Sequence, residues 1–582
     1  QKICRVVLVV AGICIVVALC VYLWWYFTQK KKEDNPLSLG GPYSRQAVAT
    51  DTDKCSEIGN NILNANGSAV DAAIAAMFCL RVINMQSSGV GGGGVMPAAT
   101  TSDMFPPTES GKNMSKYGKL PKTFNRFLLG GLAIAVPGEV NGLYRAWKEY
   151  GWLPWKDLVQ PAINLAREGF EISTAVADAL NDHMVERIKK DPGLRWILYV
   201  RAGHYREYSL GAPRYYNQKR KVRDDTGSLA KMISQDIRIR IPRYQERKGR
   251  VTEQDLRNYQ TVIREPLESE LAGMKMLFTP PPTSGAVLGL ILNILKGYNM
   301  TSSARNGTNA SVLTYHRIIE AFKFGYAWRS RLGDPAFNMD KNISEIAQKM
   351  IEQQLGDDLR QKIKDNGTYN NVSYYARFYS DEDHGTTHLA VLAKNGDAVS
   401  VTSSINYRFG CKFRSNFTGI IYNNHMADFD TPNDTKNKSD GVYPSEVNFP
   451  EPGKRPFSSL PPAILKDNNS DVQLVIGASG GKKITAAVSL LHAITENITK
   501  HDDSIFTEGG KPKIGLNCLH NFNNEKRHYI KSGVEKDVLS LGHDVVVASD
   551  TAFAVVKAVY RKPGEGIYAK SDPRKFGAPS GG

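Results

Sequence analysis

The chain has 582 residues, 41% of them hydrophobic, enough to bury a large core in at least one big domain. No internal repeats or low-complexity blocks interrupt it. A formal net charge of +16 would suit a nucleic-acid or acidic-surface partner. The basic residues are scattered, however, apart from Lys219-Arg220-Lys221-Val222-Arg223 and a second cluster between Arg238 and Arg250. Without zinc-finger spacing or an aromatic RNA-binding signature they read as solvated surface, and nucleic acid is not expected as a partner.

Val6 to Phe27 is an almost unbroken apolar run that closes on Tyr22-Leu23-Trp24-Trp25-Tyr26. About 20 apolar residues cross a bilayer, and the aromatic end fits the interface belt. The run is long for a signal peptide and lacks a small-x-small cleavage site, so residues 6–27 are expected to be a transmembrane anchor and residues 1–5 a cytoplasmic tail. Lys30-Lys31-Lys32 argue for the opposite orientation. Against them stand Asn-x-Ser/Thr sequons at Asn113, Asn299, Asn342, Asn371, Asn416 and Asn497, whose density suits a secreted or lumenal body. Residues 28–54, polar from Gly40 to Lys54, are read as a stalk.

Ser68 opens a predicted amphipathic helix, with Asp71 as its capping-box-like partner and Val70, Ile74, Met77 and Phe78 on one face. Gln86-Ser87-Ser88-Gly89-Val90-Gly91-Gly92-Gly93 is not a Walker loop, because no Lys-Ser/Thr ends it; it reads as a tight turn where backbone approaches backbone. Pro280-Pro281-Pro282-Thr283-Ser284-Gly285 leads into a long helix reaching Leu295.

Gly385-Thr386-Thr387-His388 begins a β-rich run that continues to Ala393, and a second run covers Asp397 to Ser404. Lys394-Asn395-Gly396 between them is a hairpin signal. With a three-residue loop and Gly396 left-handed, Ala393 faces Asp397, and the register sets Thr386 opposite Ser404, close enough for their hydroxyls to communicate. A two-residue turn would shift that register by one. A threonine hydroxyl needs an adjacent base to act as a nucleophile. Cutting the Gly385–Thr386 bond would supply one, the new α-amine, with a reference pKa of about 7.7–8. The same residues also fit the plain start of a buried strand.

Val472 to Ile476 reads as a buried strand, followed by Gly477-Ala478-Ser479-Gly480-Gly481 and a helix from Ile484 to Ile494. Such a turn presents free backbone N–H groups at a positive dipole end, which suits an oxyanion, a phosphate or a simple β-to-α connection. Asp381, Asp383, His384 and His388 offer metal-ligand chemistry, but their spacing fits no helical ligand pair and no metal is expected.

Gly385-Thr386-Thr387-His388, Val401-Thr402-x-Ser404-x-Asn406 and Phe409-Gly410 together resemble the γ-glutamyltransferases, or glutathione hydrolases. Gly67-Ser68-Ala69-Val70-Asp71, the glycine run, Gly131 to Glu139 and Leu332-Gly333-Asp334-Pro335 extend the resemblance over most of the chain beyond residue 50. It implies an α/β fold, the four-layer αββα sandwich of N-terminal-nucleophile hydrolases. It also implies a precursor that cleaves itself between Gly385 and Thr386 into a heavy chain, residues 55–385 of the catalytic domain, and a light chain, residues 386–582. Thr386 would be the nucleophile assisted by Ser404, and Gly480 and Gly481 the oxyanion hole. Ser458 and Ser459 would hold the substrate carboxylate, and Asn406 and Asp428 its amino group. His425 stands where the family has a glutamate; protonated, it would repel that ammonium, although a lone histidine is more often structural.

The resemblance further implies a Cys55–Cys79 disulfide, hence an oxidising compartment. The expected protein is a single-pass type II plasma-membrane enzyme with its body outside the cell. Its partners would be glutathione and other γ-glutamyl compounds as donors, with water, amino acids or dipeptides as acceptors, and it would need no cofactor. Beyond Gly94-Val95-Met96 no residue matches the arginine that clamps the carboxylate in the family. That gap motivates a rival expectation, a non-enzymatic or strongly impaired cell-surface glycoprotein that keeps the fold.

Overall fold

The structure is a computed structural model. It describes residues 38–97, 129–170, 172–181, 194, 226–240, 249–271, 273–298, 308–337, 342–369, 372–375, 385–415, 418–430, 444–481, 483–495, 538–543, 554–562, 564–572 and 577–582. The expected anchor, Val6–Phe27, lies outside these residues. Among the described residues no helix is long and apolar enough to cross a membrane.

In chain order the elements that place the site are β1 (Ser38–Tyr43), β2 (Ala47–Ala49), α1 (Asp53–Asn64), α2 (Ala69–Ile83), β3 (Gly93–Val95), α3 (Glu139–Tyr150) and α4 (Trp155–Glu168). Next come β4 (Leu267–Leu271), β5 (Met274–Phe278), α5 (Gly285–Lys296), α6 (Thr308–Arg329), β6 (Gly385–Leu392) and β7 (Ala398–Asn406). The last are β8 (Ala463–Lys466), β9 (Val472–Ser479), α7 (Lys483–Thr495), β10 (Val555–Lys562), β11 (Gly566–Ser571) and β12 (Ser580–Gly581).

Two antiparallel sheets result, one ordered β1-β11-β10-β9-β8-β5-β4 and the other β12-β2-β6-β7-β3. They pack face to face through Ala390, Leu392 and Ala398 of the smaller sheet and Ile464, Val475 and Val559 of the larger. The alternation of β6 explains its two faces. Leu389 and Val391 point the other way and pack under α1 and α2. On the far side, Leu288 and Leu292 of α5 and Ile484 and Val488 of α7 cover Met276, Leu474 and Ile476 of the larger sheet. Helix, sheet, sheet and helix therefore form four layers.

Two expectations are corrected here. Residues 38–54 do not form a stalk: β1 pairs with β11 at the edge of the larger sheet, β2 is wholly buried beside β6, and Asp53 begins α1. The predicted helix after Ser68 has its capping box, but it is not amphipathic; every residue from Ala69 to Ile83 is buried. Its alanine faces let α1, α4 and the smaller sheet all approach it, so the apolar stripe read from the sequence is only one of several packed sides. Cys55 and Cys79 are disulfide-bonded and join α1 to α2.

Candidate active site

The open end of the β6–β7 hairpin brings three groups together. The loop is the three-residue kind, with Ala393 N–H bonded to the Asp397 carbonyl at 2.9 Å and Gly396 at φ +87°. Thr386 consequently faces Ser404, while Gly385 faces Asn406, a one-residue bulge separating the two pairs. The Ser404 hydroxyl donates to the Gly385 carbonyl at 2.7 Å. Having only one proton, it accepts at the same oxygen from the Asn406 N–H at 2.8 Å and from the Thr386 hydroxyl at 3.2 Å. A proton therefore has a path from Thr386 to Ser404 and on to the Gly385 carbonyl oxygen. That is the path required when the Thr386 oxygen attacks the Gly385 carbonyl carbon.

On the opposite face of β6 lies a set that local sequence signals do not reveal. Thr387 donates to Asp51 Oδ2 at 2.6 Å, and Asn84 Nδ2 bonds to the same oxygen at 3.0 Å and to Thr387 Oγ1 at 3.2 Å. Lys557 of β10 pairs with the other Asp51 oxygen, and both residues are buried. The residue after the nucleophile candidate is thus held from three distant parts of the chain.

His388, two residues along from Thr386, packs against Gly477, where any side chain would collide with the imidazole. Its Nδ1 lies 2.8 Å from Thr402 Oγ1, and complete burial pushes its pKa down to about 3. Buried and neutral, it fills the space that Gly477 leaves open. Ser400, opposite Ala390, donates to the Ile476 carbonyl at 3.0 Å. Moving back along β6 from Ala390 towards Thr386 therefore runs forward along β9 towards Gly480 and Gly481. These glycines have φ of +131° and +62° and precede the first turn of α7. A turn built this way leaves backbone N–H groups at the Thr386 end of the sandwich.

Asn406 donates from Nδ2 to the Asn424 carbonyl at 3.1 Å, while its buried Oδ1 has no hydrogen-bond partner among the described residues. That oxygen is an acceptor available for an ammonium. His425 is buried. Its Nε2 donates to the Ser404 carbonyl at 3.0 Å and its Nδ1 is 3.4 Å from Asp428 Oδ2, so it bridges the strand that pairs with Thr386 to Asp428. Ser458 is fixed by its N–H to the Pro282 carbonyl at 2.7 Å and by Ser284 Oγ to its own carbonyl at 3.0 Å. Arg329, at the end of α6, donates from Nη2 to Ser459 Oγ at 3.3 Å, a contact the sequence did not suggest.

The glycine run does bring backbone onto backbone. A side chain at Gly92 would strike the Ser404 carbonyl, and Asn423 bonds to the Gly91 carbonyl at 2.6 Å and to the Ala135 carbonyl at 3.0 Å.

Asp381, Asp383 and His384 lie outside the described residues. Among the described ones His316, Glu320 and His543 gather as possible metal ligands. His316 Nε2 donates to the Lys364 carbonyl at 2.8 Å, which leaves Nδ1 to accept from His543 Nε2 at 2.7 Å. Lys323 donates to His543 Nδ1 at 3.3 Å and pairs with Glu320 at 3.1 Å. Burial, then the neighbouring Lys323, holds His543 near a pKa of about 3. Every imidazole nitrogen is used and a cation is already present, so the group is a hydrogen-bond relay between α6 and residues 538–543.

The family model described as Gamma-glutamyltranspeptidase matches residues 55–582, and the chain belongs to that family. Scoloptoxin SSD14 of Scolopendra dehaani is 37% identical over 80% of this chain and 80% of its own length. Glutathione hydrolase 5 proenzyme of Rattus norvegicus is 32% identical, with 93% of each chain covered. The solved cephalosporin acylase from Bacillus halodurans shares the fold, with a TM-score of 0.72, 21% identity and coverage of 93% of this chain and 96% of the other.

Proposed function

We propose that this protein is a self-cleaving γ-glutamyltransferase and glutathione hydrolase of the N-terminal-nucleophile type. The observation that carries the reading is the Thr386–Ser404–Gly385 arrangement, in which nucleophile, proton carrier and target carbonyl already touch. In maturation the Thr386 oxygen bonds to the Gly385 carbonyl carbon and the C–N bond breaks. The proton released from Thr386 passes through Ser404 to the Gly385 oxygen, moves on to the departing amine as that carbonyl re-forms, and water then hydrolyses the ester. The freed α-amine of Thr386 becomes the base for catalysis. Thr386 then attacks the γ-carbonyl of a glutamyl donor such as glutathione, and Gly480 and Gly481 receive the oxyanion. Asn406 Oδ1 and Asp428 take the donor's ammonium, Ser458 and Ser459 its carboxylate, and water or an amino-acid or dipeptide amine resolves the acyl-enzyme.

The word proenzyme in the name of the rat relative supports maturation by cleavage. The apolar run Val6–Phe27, the sequons and the Cys55–Cys79 disulfide support a type II anchor with the body outside the cell. Exposed Asn342, capping the helix that starts at Ile343, is a sequon accessible to glycosylation.

The test is Thr386→Ala. Wild-type protein should run as two fragments on a denaturing gel, the smaller beginning at Thr386, and should release product from a γ-glutamyl anilide. The variant should stay as one chain and release none. Folded wild-type protein that is neither cut nor active would instead support a non-enzymatic glycoprotein.

A further inference from the structure

We infer that Arg329 makes Ser459 an anion-reading hydroxyl, and so sets the preference for donors with a free α-carboxylate three carbons from the scissile amide; this rests on the γ-glutamyl reading above.

The segment from Lys454 to Ser459 is held at almost every residue. Arg455 N–H bonds to buried Asp334 at 3.0 Å, Phe457 N–H to Asn448 Oδ1 at 2.9 Å, and Ser458 N–H to the Pro282 carbonyl. Thr485, in the first turn of α7, reaches the Ser459 carbonyl at 3.5 Å. Beyond Ser459 the chain enters β8, where Ala463 pairs with Ile476 of β9. Ser459 therefore sits beside the end of β9, the end at which Gly480, Gly481 and Thr386 converge. Both serines are buried, at 7% and 5% exposure, so their hydroxyls need partners within the site.

Arg329 decides which way the Ser459 hydroxyl works. A guanidinium only donates. Its Nη2–H at 3.3 Å occupies a lone pair of Ser459 Oγ and leaves the O–H to be donated elsewhere. The Arg329 guanidinium also lies 4.7 Å from the Phe457 ring centre, which fixes its plane. A hydroxyl left with its proton to donate, beside a guanidinium, recognises an anion. It does not suit a cation or a neutral acceptor-poor group. The γ-glutamyl moiety of a donor carries one such anion, its α-carboxylate, three carbons from the carbonyl that Thr386 attacks.

The experiment uses the mature enzyme and competition by two small molecules, glutamate and 4-aminobutyrate, which is glutamate without the α-carboxylate. Wild-type enzyme should bind glutamate the more tightly of the two. In Arg329→Gln the inhibition constant for glutamate should rise by about 10- to 100-fold, the range expected for a lost charged hydrogen bond, while that for 4-aminobutyrate stays put. Arg329→Lys, which keeps the charge but loses the planar fork, should fall between. A damaged fold weakens both inhibitors together, so equal losses, or no change in the glutamate preference, overturn the inference. Failure of both variants to mature also overturns it, because a residue needed before substrate arrives is not a substrate-reading one. Wild-type protein without turnover overturns the γ-glutamyl reading itself, a result distinct from an active wild type whose preference ignores Arg329.

Discussion

At its turn end the β6–β7 hairpin is filled by Leu389, Val391, Val399 and Val401 on one face and by Ala390, Leu392 and Ala398 on the other. At its open end the same two strands carry Thr386, Thr387, His388, Thr402, Ser403 and Ser404, and all six are buried. The apolar end is held mainly by shape, with Ser400 bonded to the Ile476 carbonyl, and its apolar side chains tolerate partners of suitable volume. The polar end is held by direction. A buried hydroxyl without a partner costs a few kcal/mol, roughly 1–3, so each must be answered by a specific acceptor or donor. Thr387 finds Asp51, Ser403 finds Glu139 at 2.5 Å, and Ser404 finds the carbonyl of Gly385. Directional restraint is what a reacting oxygen needs, and packing alone does not provide it.

Changes at three positions would break or sharpen this contrast. Leu389→Ala should cost about 2–5 kcal/mol of stability, read as a lower denaturation midpoint, while folded material keeps its turnover. Loss of kcat in the folded fraction would show that the turn end also aims the chemistry. Ser404→Ala should slow precursor cleavage by about 100-fold, followed on a denaturing gel with time, whereas Ser404→Thr should still mature because the hydroxyl remains. Cleavage of the alanine variant at the wild-type rate would remove Ser404 from the proton path.

The smallest effect, per pH unit, concerns His388. Its folded pKa of about 3 lies below the unfolded value near 6.5. Between those values the unfolded chain holds the extra proton, so this contribution to stability is complete above about pH 6.5 and is lost as pH falls towards 3. The slope should reach at most about 1.4 kcal/mol per pH unit, and His388→Gln should flatten it, as measured by denaturation midpoints from pH 7 to 4. An unchanged slope would assign acid sensitivity to other groups, among them His543, whose shift has the same sign.

Local chemistry made much of this legible in the sequence. Asn395-Gly396 sets the hairpin register, Ser68 and Asp71 set the start of α2, and the glycines before α7 announce a turn that only they adopt. Each of those signals spans a few residues. Arg329 beside Ser459, Lys557 on Asp51 and Asn423 on Gly91 join segments far apart in the chain, and nothing near either partner hints at the other. The first strands were misread for a related reason. Ser38-Leu39-Gly40-Gly41-Pro42-Tyr43 has the composition of a linker, and only pairing with the distant Ile567 to Ser571 makes it a strand.

The sheet orders have a consequence for the proposed cut before Thr386. In the smaller sheet β6 and β7, downstream of the cut, lie between β2 and β3, which are upstream of it. The larger sheet sets downstream β8 to β11 between upstream β1 and β5. Neither fragment therefore owns a complete sheet, and the pair should elute together under native conditions and melt in one transition. Unfolding then has a different kinetic order in its reverse direction. The precursor refolds as a unimolecular event, but the severed fragments must find each other by diffusion, at a rate that depends on their concentration. Maturation would in this way turn a recoverable structure into a practically irreversible one.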